Sequence, residues 1–188
     1  MSEPRRYEFK PLSASVAREA FSCGDDEIDR WFRKKALEFH DSCKGRVITV
    51  HHPSSEDGQA AQHPVAFFAF AIAPQPESHL DKSHRFRRYV VQPHRCFLSL
   101  EIQYIAVRAS RQNRNIGRLI MGWLVQHFID AIDRFAIPVM TLNAINERAE
   151  KLYREFGFQK YGDQASRRLM LPWQDALALR SPDEQHSS

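Results

Sequence analysis

EIQYIAVRASRQNRNIGRLIMGWL, residues 101–124, changes its periodicity halfway along. Up to Ile105-Ala106-Val107 it reads as a strand, and from Ile116 onward apolar residues recur at helical spacing. Between the two lies a short basic turn carrying Arg108, Arg111 and Arg114, with Arg118 just inside the helix. Backbone N–H groups at the start of a helix have no partner within it and carry partial positive charge. A turn that directs several of them inward makes an anion cradle. Gly117 is the one glycine of this turn, and Asn115 holds another tight position, where asparagine tolerates left-handed backbone better than most residues.

Outward from this turn the chain alternates strands and helices. On the C-terminal side, the helix running to about Phe135 carries Leu119, Ile120, Trp123, Leu124, Phe128 and Ile132 as its apolar stripe. Strand IPVMTLNA, helix NERAEKLYREF and short strands FGFQKY and RRLMLPW follow, and the last fifteen residues read as a fraying helix and a tail. On the N-terminal side, YEFKPLS predicts a short strand reaching Pro11. DDEIDRWFRKKALEFH predicts one helix, with acids at its start and apolar Ile28, Trp31, Phe32, Ala36 and Phe39, ended by Gly45. RVITVHH, PVAFFAFAIAP and CFLSLEIQYIAV read as strands, with PSSEDGQAAQH as a polar hairpin loop. Residues 74–95 show no clear periodicity. The order is β-α-β-β-β-α-β-α-β-β, an α/β mixture (α+β) with a largely antiparallel first half. It predicts one domain over residues 1–175, with a flexible tail at 176–188.

Composition narrows the class. With 188 residues, 43% of them hydrophobic, the chain can bury one good core and is short for two ordinary domains. Charged Glu3, Arg5, Arg6, Glu8 and Lys10 interrupt the start, and no apolar stretch approaches membrane-spanning length, so the expectation is a cytoplasmic protein with no membrane partner. Cys23, Cys43 and Cys96 are odd in number and widely spaced, the pattern of reduced, mostly structural thiols. No CxxC occurs and the histidines are scattered, so no metal is expected. A net charge of +4 favours anionic partners, phosphate-bearing small molecules and nucleic acid alike.

The turn resembles the pyrophosphate loop of the GNAT superfamily of N-acetyltransferases, Gln/Arg-x-x-Gly-x-Gly/Ala between a strand and a long helix. Gln112, Asn115 and Gly117 stand at the patterned places, with Asn in place of the first glycine. NERAEKLYREFGF, residues 146–158, is similar to a second family pattern through Asn146, Ala149, Tyr153, Gly157 and Phe158. FSCGDDEIDRWFRKKALEF, residues 21–39, resembles the opening of a bacterial branch that includes toxins acetylating aminoacyl-tRNA. The resemblance implies a GNAT fold, a central mixed, mostly antiparallel sheet flanked by helices. It implies acetyl-CoA as cosubstrate, held by the strand end Ile105, Ala106 and Val107 and by Gln112, Asn113, Arg114, Asn115, Ile116, Gly117 and Arg118, with Asn146 and Tyr153 from the second pattern. The acceptor is then the amine of an aminoacyl-tRNA, or a small-molecule or protein amine. An antitoxin protein and a homodimer are the partners such a toxin implies.

Transfer from a thioester to an amine needs a deprotonated amine, a stabilised oxyanion and a proton for the leaving thiolate. Direct attack in a ternary complex requires no covalent intermediate and no nucleophilic cysteine. By resemblance Tyr153 is the general acid and the Val107 backbone N–H the oxyanion donor, while Glu101 stands where the protein-acetylating branch has a base-like glutamate. Glu101 is also readable as a residue on a wet strand face beside Gln103. Arg85, Arg87 and Arg88 surround Phe86 in a basic loop suited to nucleic acid or to solvent, and Arg33, Lys34 and Lys35 extend the positive charge. The competing class is a non-catalytic acyl-CoA-binding or nucleic-acid-binding module on a decayed GNAT fold, suggested by Asn115.

Overall fold

A computed structural model describes residues 7–52, 63–80, 85–163 and 165–179; the polar loop expected over 53–62 and the tail from 180 lie outside them. The elements run β1 (Glu8–Pro11), α1 (Ala14–Ala17), α2 (Asp26–Lys34), α3 (Ala36–Asp41), β2 (Arg46–His51), β3 (Ala66–Pro76), β4 (Cys96–Val107), α4 (Ile116–Phe135), β5 (Val139–Asn143), α5 (Glu147–Glu155), β6 (Gln159–Lys160), β7 (Arg168–Pro172) and α6 (Trp173–Leu177). The strands form one mixed sheet in the order β1-β2-β3-β4-β5-β7-β6. β4 and β5 are parallel, whereas β1–β2, β2–β3, β5–β7 and β6–β7 are antiparallel. A parallel pair cannot be closed by a hairpin, and α4 supplies the crossover between β4 and β5. Their register covers Leu100↔Met140, Glu101↔Thr141 and Ile102↔Leu142, while β4 itself continues to Val107.

The chain divides into two compact units, Met1–Ala71 with Gln103–Ile120, and Ile72–Ile102 with Met121–Ser188. Each draws on two stretches of chain, so no linker in the sequence marks them.

In the first unit the core is aromatic. The Phe67 ring lies 4.3 Å from that of Phe32 and 5.1 Å from that of Phe21, and Leu12, Ala36, Val47, Ala69 and Ala106 fill the cluster. α2 is capped by Asp25, whose carboxylate accepts the N–H groups of Glu27 and Ile28 at 3.0 and 3.1 Å. The single helix expected over residues 25–40 is two: Lys35 leaves the helical region at φ −127° and ψ −27°, and the bend keeps both Phe32 and Ala36 fully buried. α3 stops at Asp41 with Cys43 left-handed at φ 56°, before Gly45 is reached. Gly45 serves space instead, since a Cβ there would sit 2.2 Å from the Phe39 ring and 2.5 Å from the Phe70 carbonyl oxygen.

The second unit has its own core of Leu80, Phe86, Phe97, Val139, Tyr161 and Met170. The buried face of α4 comprises Ile120, Met121, Leu124, Val125, Phe128 and Ile129, with Leu119 40% exposed. The stripe is thus rotated from the one the spacing suggested, because Met121, Val125 and Ile129 form an equally regular i, i+4, i+8 row. The aperiodic stretch 74–95 contains the end of β3 and two 3₁₀ turns, Glu77–His79 and Arg85–Tyr89, joined by the ion pair of the buried Glu77 with Arg87, and Glu77 also pairs with Arg95. α6 carries a fully buried Ala176, so the ordered chain passes the expected boundary at 175.

Candidate active site

The turn expected after β4 lies within the first unit. Arg108 anchors its entry: the backbone N–H donates to the Val65 carbonyl, Nε to the Pro64 carbonyl and Nη1 to the Ala20 carbonyl, all within 3.0 Å. Its guanidinium also lies 5.3 Å over the Phe21 ring, and Nη2 is buried without a partner among the described residues. Arg108 therefore holds backbone together and does not stand free at the turn. The next N–H, of Ala109, donates to Ser22 O at 2.9 Å. Gln112 closes the turn, its side-chain amide donating to Cys23 O at 2.7 Å and Val107 O at 3.2 Å.

Asn113 and Asn115 both adopt left-handed backbone, at φ 62° and 60°. Asn115 thus takes a conformation that glycine adopts freely, and the same property of Asn113 went unmarked in the sequence. Gly117 lies in regular helix, so its value is its missing side chain and not an unusual φ. The first bond of α4 runs from Leu119 N–H to Asn115 O at 3.0 Å, which leaves the N–H groups of Ile116, Gly117 and Arg118 without helical acceptors. Ile116 is buried and pins the helix start, while Arg114 and Arg118 are exposed and Arg111 is half-buried around it. The N-terminal, positive end of a twenty-residue helix and these cations suit a pyrophosphate. Ile105 and Val107, half-buried on either side of buried Ala106, end the strand leading in.

The segment before α2 braces this turn. Asp29 accepts the Cys23 N–H at 2.8 Å. Burial would raise its carboxyl, but bonds from Cys23 and Ser22 and the Arg33 charge outweigh that and hold it below the ordinary range. Burial pushes the Cys23 thiol up to about 11, which fits a structural role. Cys43, by contrast, is exposed.

In the second unit, Asn146 caps α5 by accepting the Ala149 N–H at 2.9 Å, so its side-chain oxygen is engaged within the chain. Tyr153 is 9% exposed, and burial alone pushes its phenol up to about 12. Gly157, at φ 82°, makes the left-handed turn that lets Phe158 N–H reach Tyr153 O at 3.3 Å. Glu101 is half-buried on β4, opposite Thr141. Sequence reading missed its neighbour Tyr161, which is buried and donates to Gln75 Oε1 at 3.5 Å. Burial pushes the Tyr161 phenol up to about 12, with Arg168 lowering and Glu101 raising it. No motif singles out Tyr161; its place after FGFQK and the alternation of the strand were the available signals.

The basic loop departs from its expected form. Phe86 is 1% exposed within the core and presents no face to a base. Arg85 pairs with Asp175 and Arg87 with Glu77, while Arg88 hydrogen-bonds the Tyr89 hydroxyl. Among the described residues no three ligand-type side chains cluster to hold a metal, and no helix is long and apolar enough to cross a membrane.

Residues 25–158 match the acetyltransferase (GNAT) family model. A Mycobacterium tuberculosis protein described as a tRNA-acetylating toxin is 26% identical over 178 residues, covering 95% of this chain and 96% of its own. Among solved structures, a mutant of KacT superposes with a TM-score of 0.78 at 15% identity, over 94% of this chain and all of its own. AtaT complexed with acetyl-methionyl-tRNAfMet gives 0.75 at 15% identity, over 93% of this chain and 99% of its own. AtaTR bound with AcCoA gives 0.74 at 15% identity, over 92% and 97% respectively.

Proposed function

The chain belongs to the acetyltransferase (GNAT) family, and from that premise we propose that it moves an acetyl group from acetyl-CoA to the amine of an aminoacyl-tRNA. The observation that carries the donor half is the turn itself, where Asn113 and Asn115 take left-handed backbone ahead of three N–H groups without helical acceptors. Acetyl-CoA, when bound, supplies an activated thioester. The residues that would hold it are Gln112 to Arg118 at the pyrophosphate and Ile105 to Val107 along the pantetheine arm. β4 beyond Ile102 has no β5 partner in the register, so its backbone groups on that edge, the Val107 carbonyl bonded by Gln112 aside, are the ones such an arm would meet.

The chemistry then falls to three groups of this chain. The Val107 backbone N–H donates to the developing oxyanion. Tyr153, kept neutral by burial, carries a phenolic proton for the departing sulfur. Glu101, beside Tyr161, accepts a proton from the incoming ammonium. Asn146 contributes by fixing the start of the helix that carries Tyr153.

The acceptor half rests on the likeness to a tRNA-acetylating toxin and on charge. Arg33 and Lys34 at the end of α2 and Lys35 just beyond it are exposed cations suited to phosphates. Of the loop cations Arg85, Arg87 and Arg88, the first two are neutralised by Asp175 and Glu77, which assigns less of the contact to this loop. A single acetyltransferase domain that dimerises and is held by an antitoxin completes the reading.

The test is incubation of purified protein with labelled acetyl-CoA and either charged or deacylated tRNA. Label in the charged fraction alone is the expected result. Label on protein or on a small amine, with charged tRNA untouched, would transfer the assignment to those acceptors.

A further inference from the structure

The second unit holds a cavity of about 490 Å³ that the acetyl-transfer reading does not use. Its wall is aliphatic, from Val91, Leu98, Ile132, Ala136, Ile137 and Pro138, with Tyr89 and Trp173 completing it. Small-molecule sites have about this size and an apolar lining with few polar groups, roughly 300–1,000 Å³ in volume.

The polar end is built around one oxygen. The Tyr89 hydroxyl receives N–H bonds from Trp173 Nε1 at 2.9 Å, Gln174 Nε2 at 3.0 Å and Arg88 Nη2 at 3.0 Å. A phenol oxygen offers two lone pairs, fewer than these three donors, so its acceptor capacity is exhausted and its own proton is what it has left to give. Among the described residues that proton has no acceptor. Burial alone would raise this phenol, yet the donors, Trp173 foremost, outweigh it and bring it below the ordinary range, which strengthens it as a donor. The Arg88 guanidinium lies 4.8 Å over the Tyr89 ring and meets no carboxylate among the described residues. Asp175, next in sequence to Gln174, is paired with Arg85. Among the described residues, therefore, Tyr89 at the cavity wall has an O–H proton to give, and the exposed Arg88 bonded to it carries a positive charge with no carboxylate partner.

We propose that this cavity binds a small hydrophobic carboxylate, its chain among Leu98, Ile132 and Ile137 and its head group accepting from the Tyr89 hydroxyl beside Arg88. An uncharged apolar ligand would leave the proton and the guanidinium unmet, and a cation would be repelled by Arg88. The inference does not depend on which amine the protein acetylates.

Calorimetric titration of the full chain with decanoate, with decanol as the uncharged comparison, tests it. One saturable decanoate site is expected, with decanol at least about tenfold weaker. Tyr89→Phe and Arg88→Gln should each weaken decanoate by about tenfold, and Leu98→Trp, a change at a half-exposed position, should abolish binding in a protein that circular dichroism shows folded. Saturating coenzyme A should leave the decanoate isotherm unchanged. Absence of saturable heat, equal binding of decanol, normal binding by Leu98→Trp or displacement by coenzyme A would each overturn the assignment. So would a wild-type dimer that Leu98→Trp converts to monomer, because the cavity would then belong to a second copy.

Discussion

The side-chain amide of Gln112 donates to the carbonyl oxygen of Val107 at 3.2 Å, tying the turn after β4 back to the strand that leads into it. With its second bond, to Cys23 O, the glutamine is a clamp on the turn as much as a ligand. Gln112→Ala should therefore weaken acetyl-CoA by about tenfold and cost about 1–2 kcal/mol of stability, because two carbonyls lose a donor. Calorimetry and denaturant melts read the two effects; a loss of affinity with unchanged stability would show that the clamp is dispensable.

Asn115 separates conformation from residue type. Asn115→Gly should keep acetyl-CoA binding and change stability by less than about 1 kcal/mol, since left-handed backbone costs glycine nothing while its unfolded chain is freer. Asn115→Val should lose about 1–3 kcal/mol and most of the affinity, a β-branched residue being strained at φ 60°. Equal behaviour of the two variants in a melt and a titration would remove the conformational argument.

Removing the cap oxygen in Asn146→Ala should cost about 1 kcal/mol, or about 2–4 °C in Tm. The affinity for acetyl-CoA should hardly move. A large loss of affinity at normal stability would restore Asn146 as a ligand.

Tyr153→Phe should lower kcat far more than it changes acetyl-CoA affinity. Wild-type kcat should show no decline from this phenol below pH 10, because burial keeps it protonated to about 12. A free phenol ionises near pH 10, so Tyr153 and Tyr161 stabilise the fold fully below that value, and this contribution is lost as pH climbs towards about 12. Alkaline unfolding of Tyr153→Phe should accordingly begin at higher pH than that of the wild type.

Much of this was legible because the chain's strongest signals are local. β4 and α4 stand where alternation and helical spacing put them, and the Asn-to-Gly turn at 113–117 follows from its neighbours. The break at Lys35 was hidden because the apolar positions on both sides stay in step with one helix. The rotation of α4 was hidden because two rows of apolar residues compete and tertiary burial chooses between them. Phe86 was misread for a related reason: its sequence neighbours are arginines, whereas its contacts, Leu80, Phe97 and Met170, come from other parts of the chain. Tyr161 and Gln75 are eighty-six positions apart, a pairing that no window of sequence displays.

Three bonds join residues 20–23 to the turn after β4: Arg108 Nη1 to Ala20 O, Ala109 N–H to Ser22 O and Gln112 Nε2 to Cys23 O. Two stretches more than eighty residues apart in sequence thus share one local opening event. Amide exchange at Ser22 to Asp29 should slow together with that at Ala109 to Leu119 when coenzyme A is added, although ligand contacts are expected on the second stretch only. The N-terminal segment acts as a latch on the turn, and a change that frays it should loosen coenzyme A without touching a phosphate.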